Sequence, residues 1–181
     1  MVRDKTGLTG VRIVQSGPPH TGTTPLVNLI YGLVAPDAPV AYGGACVERS
    51  LVTKTHTTDI DKLMNRFTDY DLYFVMSERV DEKVQSKINQ SYKEYENVLV
   101  IDYSEILETS EWSVDDIAKS LFAKLFKFLP KEVIPNPADG PARMAARLKS
   151  MNARYEEIKD RPFSYYDPFY HLHGSHRNRP L

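Results

Sequence analysis

The chain has 181 residues, 41% of them apolar and 26% charged, and a formal net charge of −1. That balance excludes pervasive disorder and gives no argument for nucleic acid or an acidic membrane as a partner; the single cysteine, Cys46, excludes a disulfide framework or a cysteine-rich metal site. The polar opening "MVRDKTGLTG" lacks a signal-peptide core, and no apolar run approaches the roughly 20 residues that span a bilayer, so one soluble, cytoplasmic domain covering 1–181 is expected.

In chain order, Val11 to Ser16 reads as a short buried strand between Gly10 and Gly17. Leu26, Leu29, Ile30 and Leu33 fall at helical spacing, which predicts a helix over 25–33 with Pro25 in its first turn. The segment "VAPDAPVAYGGA" reads as an exposed loop. Ser50 to His56 is the second expected strand, followed by a helix in "TDIDKLMNRF" capped by Thr58 or Asp59. Tyr70 to Glu78 predicts a third strand, Asp81 to Tyr95 a polar helix, and Asn97 to Ile106 a fourth strand. Ser113 to Leu129 is strongly amphipathic, with Leu121, Phe122, Leu125, Phe126 and Leu129 on one stripe.

Four strand–helix alternations point to an α/β fold, a three-layer parallel sheet flanked by helices, with its core over about 11–129. A proline-rich connector, 130–141, leads to a last helix over 142–160. The aromatic and basic tail "RPFSYYDPFYHLHGSHRNRPL" closes the chain. Its aromatics are expected to pack across the sheet's C-terminal edge, bringing Arg177 and Arg179 towards the crevice where open α/β sheets bind ligands. His171, His173 and His176 have only Asp167 as a nearby carboxylate, and no metal site is expected there.

Gly17 and Gly22 stand four residues apart where a strand turns into a helix. Such a turn converges backbone N–H groups, here those of Thr21, Gly22, Thr23 and Thr24, on one point that suits a phosphate or sulfate. Nucleoside triphosphatases carry a lysine directly after the second glycine, where it reaches the terminal phosphates. Thr23 occupies that position, which turns the expectation away from magnesium–triphosphate chemistry.

The segment "GPPHTGTTPL" resembles the 5′-phosphosulfate loop of PAPS-dependent sulfotransferases, approximately GxPKTGTTWL. Gly17, Pro19, Thr21, Gly22, Thr23, Thr24 and Leu26 match that pattern. "LVTKTH" is similar to the family's KTH element and places Lys54, Thr55 and His56. A third segment, from "NVLVIDYSEI" to "FKFL", is similar to a later strand–helix unit of the family, so the likeness covers 11 to about 129.

The resemblance implies a P-loop-type fold and transfer of a sulfuryl group from PAPS to the hydroxyl of a small molecule or glycan, with no metal. His56 would be the base, the 17–24 loop would hold the phosphosulfate, and Lys54 or His20 would meet charge on the leaving group. Arg79 and Ser86 would serve the 3′-phosphate, assisted by Arg177 and Arg179. The chain departs from the family in three places. His20 replaces the catalytic lysine; Ser77 stands where the phosphate-binding arginine aligns, with Arg79 two positions later; and the late RKGxxGDWK segment is missing. Two alternatives stay open, a P-loop kinase or other phosphotransferase and a non-catalytic nucleotide- or partner-binding relative.

Overall fold

A computed structural model describes residues 10–81, 85–162 and 164–173 of the chain. Its strands are β1 (Val11–Ser16), β2 (Val52–Lys54), β3 (Asp71–Val80), β4 (Gln85–Ser86), β5 (Val98–Asp102), β6 (Tyr166–Asp167) and β7 (Leu172–His173). Its α-helices are α1 (Thr23–Val34), α2 (Ile60–Arg66), α3 (Val114–Phe128) and α4 (Gly140–Ile158). The chain divides into two compact units: residues up to Thr23 with Ala41–Ser104, and Thr24–Val40 with Glu105 onward.

The first unit holds a parallel sheet of four strands in the order β2-β1-β3-β5, with the short β4 antiparallel to the far end of β3. The protein is therefore α/β, built on a parallel sheet. Val14, Phe74, Met76 and Val98 share one sheet face and pack with Val47, Ile60, Leu63 and Phe67 into a continuous core. Each such side chain contributes about 1.5–3 kcal/mol on burial. Asp59 caps α2, its carboxylate accepting from the Lys62 N–H at 3.0 Å, so the charge sits where the helix dipole favours it.

Strand alternation also puts Arg12 on the core face, fully buried. The cost of that burial is offset by carbonyl partners. Arg12 Nε donates to the Val47 carbonyl at 2.8 Å and Nη1 to that of Val11 at 2.9 Å. The guanidinium also lies 4.4 Å from the centre of the Tyr70 ring.

The described residues of 81–95 do not form the expected polar helix. β3 runs on to Val80, the chain returns as β4, and only a 3-10 turn, Gln90–Glu94, follows. The segment has no apolar stripe to pay for helix formation. Asn89 instead accepts from the Ser91 N–H at 3.1 Å, favouring a turn.

The second unit packs α1, from Thr24 on, with α3, α4 and the β6–β7 hairpin. α3 starts at a reciprocal capping box in which Ser113 and Asp116 bond each other's backbone N–H. A Cβ on Gly32 would lie 2.8 Å from both the Arg143 carbonyl oxygen and the Met144 Cα, so α1 and α4 meet there backbone to backbone. Asn28, fully buried on α1, donates to the Tyr170 carbonyl at 2.9 Å and accepts from Arg147 Nε at 3.1 Å. Arg147 also donates to the carbonyls of Pro36 and Phe169. The tail aromatics are thus anchored by an arginine through their main chain, and the Phe169 ring stacks on it at 4.2 Å.

Gly32→Ala tests the helix crossing. The substitution gains about 1 kcal/mol of helix propensity, yet overpacking against backbone costs about 1–3 kcal/mol. Urea unfolding is expected to show a net loss of stability; a gain would mean that the helices separate easily.

Candidate anion-binding loop and its histidine

Parallel strands align their C-terminal ends, and β1 connects outward to β2 while the chain re-enters on β1's other side as β3. Loops after such strands meet at the point where strand order reverses, the usual ligand position in open α/β sheets. Residues 17–22 follow β1 there. Their path is set by Gly17, where an added Cβ would sit 2.3 Å from Ser77 Oγ and 2.7 Å from the Ser77 carbonyl oxygen. Any side chain at 17 would push the loop off β3.

Thr21 holds the turn from within. Its hydroxyl donates to the Pro18 carbonyl at 2.7 Å, and 2.8 Å separates it from the Ser77 hydroxyl. A carbonyl can only accept, so the Thr21 proton is committed and Ser77 supplies the proton of the second bond. Both residues are fully buried. The Thr21 hydroxyl is therefore committed within the protein. Gly22 takes φ 77°, and Thr23 opens α1, where first-turn N–H groups have no partner within the helix. Thr24, the next residue, is likewise buried.

His20 is exposed and held at φ 72°, a left-handed conformation that costs a residue with a side chain about 1–2 kcal/mol. On its C-terminal side the next residue, Thr21, is held in place by its two hydroxyl hydrogen bonds.

His56 is joined to this loop. Its Nδ1 lies 3.0 Å from the Gly17 carbonyl oxygen, so Nδ1 carries the hydrogen. In the neutral ring, Nε2 then bears the lone pair. Burial lowers the His56 pKa below its ordinary 6.5; the Gly17 bond opposes this, and the Lys54 charge adds to the lowering. The neutral, proton-accepting ring therefore prevails at neutral pH.

Lys54 ends β2, opposite Gln15 of β1, and is 1% exposed. Burial pushes its pKa down to about 7. Gln15 is fully buried too, and its Oε1 has no hydrogen-bond partner. As a cation, Lys54 is only partly available near neutrality, which weakens it as a permanent point charge.

Arg79 and Ser86 are brought together, directly paired across β3 and β4. The guanidinium is occupied, however, by Asp81 at 2.5 Å and by the Tyr103 ring at 4.4 Å. Arg177 and Arg179 lie outside the described residues. Sequence reasoning missed Ser77 as the residue on which the loop rests, although alternation in "FVMSE" puts it on the Val75 face. It also missed Tyr42, whose ring meets that of His56 edge-on at 6.1 Å between centres. Nothing in "VAYGGA" marks it beyond the two following glycines.

No protein-family model, curated protein or solved structure matches the chain. Among the described residues, no helix is long and apolar enough to cross a membrane.

The Lys54 environment predicts a pH signature. Its folded pKa of about 7 against the ordinary 10.5 means that the unfolded chain holds the proton more tightly between those values. Lys54 therefore makes stability rise with pH across that window, by at most about 1.4 kcal/mol per unit, and its penalty is full below pH 7. The stability advantage of Lys54→Met over the parent should be largest at pH 6 and shrink towards pH 10. A flat difference curve would show an amine that titrates normally.

Proposed function

We propose that this protein is a sulfotransferase-like enzyme that moves a sulfuryl group from PAPS to an acceptor hydroxyl, with His56 as the base. The supporting observation is the hydrogen bond from His56 Nδ1 to the Gly17 carbonyl, which ties a neutral, correctly protonated imidazole to the glycine turn. Bound PAPS would supply a sulfuryl group on a phosphate leaving group. The backbone N–H groups of Thr21, Gly22 and Thr23 are suited to hold its doubly anionic end without a metal. His56 Nε2 would take the proton of the acceptor hydroxyl, a contribution of about 10²–10⁴ in rate. His20, as an N–H donor, and the fraction of Lys54 that is protonated would meet charge on the departing oxygen. The three-layer P-loop arrangement belongs to the same proposal, as does a small-molecule or glycan acceptor.

A second possibility, a non-catalytic nucleotide-binding relative, is favoured by His20 in the lysine position and by Arg79 being occupied by Asp81.

Calorimetry with PAP, ATP and GTP, each with and without Mg²⁺, separates these possibilities. PAP is expected to bind without metal, and Gly22→Val, which forces a β-branched residue into a left-handed conformation, should abolish that binding. His56→Asn, whose amide can still donate to the Gly17 carbonyl, should keep PAP affinity while turnover falls about 10²–10⁴-fold. ATP binding that requires Mg²⁺, with no response to PAP, would favour a kinase. PAP binding without sulfation of any acceptor would favour the non-catalytic relative.

A further inference from the structure

Tyr42 is a large aromatic side chain left 47% exposed beside His56. Its position is fixed by the backbone. Residue 42 forms a parallel bridge to Lys54, the Lys54 N–H donates to the Ala41 carbonyl at 2.8 Å, and the Gly43 N–H donates to the Lys54 carbonyl at 2.8 Å. The segment is in effect one more rung on the β2 edge of the sheet, so the ring is carried by a rigid element, not by a free loop. The chain then leaves through Gly43, at φ 98°, and Gly44. A Cβ built on Gly43 meets nothing within 4 Å, and one on Gly44 meets only Leu63 Cδ2 at 3.8 Å. A half-exposed aromatic ring on a backbone held to β2 therefore stands next to the proton acceptor.

We propose that Tyr42 is the platform on which the acceptor lies, and that the acceptor's hydroxyl is borne on a flat ring, not on a flexible chain. This rests on the transferase function proposed above. A preorganised ring loses little freedom on binding, and a rigid cyclic partner can lay a whole face on it by stacking or CH–π contact without losing rotamers of its own. A chain alcohol can bury itself against Tyr42 only by giving up its own rotamers. His56 orients the hydroxyl; Tyr42 selects what carries it. As a specificity residue it acts on binding, not on the chemical step.

The test compares Tyr42→Ala and Tyr42→Phe with the parent, using 2-naphthol, methyl β-glucoside and 1-octanol as acceptors. In turnover, Tyr42→Ala should raise KM for the preferred ring acceptor about three- to tenfold with kcat nearly unchanged. Tyr42→Phe should restore KM, and PAP affinity should not move in either variant. Preference between naphthol and glucoside identifies an aromatic or a sugar ring. Octanol serving as well as either, or a KM indifferent to Tyr42→Ala, overturns the proposal.

A turnover-independent readout, titration of 2-naphthol and methyl β-glucoside followed by nuclear magnetic resonance, separates its fate from that of the transferase function. Ring binding weakened by Tyr42→Ala in a protein that ignores PAP keeps the platform and rejects the transferase. PAP binding with ring affinity independent of Tyr42 does the reverse. Loss of both rejects both.

Discussion

The absence of a side chain at residue 17 is the constraint on which the candidate site depends. Because the backbone there lies against Ser77, the turn can fold flat on β3 and present its carbonyl sideways to His56. A single carbonyl then fixes both the orientation and the tautomer of the imidazole. The buried Thr21–Ser77 hydroxyl pair closes the far side of the turn. Glycine at 17 is therefore required less for its dihedral freedom than for its missing volume.

Electrostatically, the site keeps its charges in reserve. His56 is held neutral by burial, and Lys54, which would be a fixed cation on the surface, is brought close to its titration point. Neither shift comes from a neighbouring carboxylate. Both follow chiefly from removing water from the ends of β1 and β2, and both favour the unprotonated forms. The strained His20, by contrast, projects where solvent can reach it.

Much of this was legible in the sequence, for identifiable reasons. β1, β3 and β5 are short runs of branched and aromatic residues bounded by turn formers, and α1 and α3 carry regular apolar stripes, so local pattern and tertiary environment agree. Spacing marked the glycine turn, which directly follows β1; His56, two residues past the end of β2, is singled out only through the resemblance of its "KTH" element. Polarity without an apolar stripe gives a helix over 81–95 nothing to pack, whereas Arg79 and Ser86 pair across β3 and β4. The platform at Tyr42 could not be read locally. It depends on a bridge to a residue twelve positions away and on the ring's approach to His56.

The two units are interleaved along the chain, since residues 24–40 belong with everything after 104 and not with the sheet residues on either side of them. During synthesis α1 is followed by the remaining strands of the sheet before α3 and α4 emerge. The backbone-to-backbone approach of α1 and α4 at Gly32 can therefore form only after the sheet strands have been made.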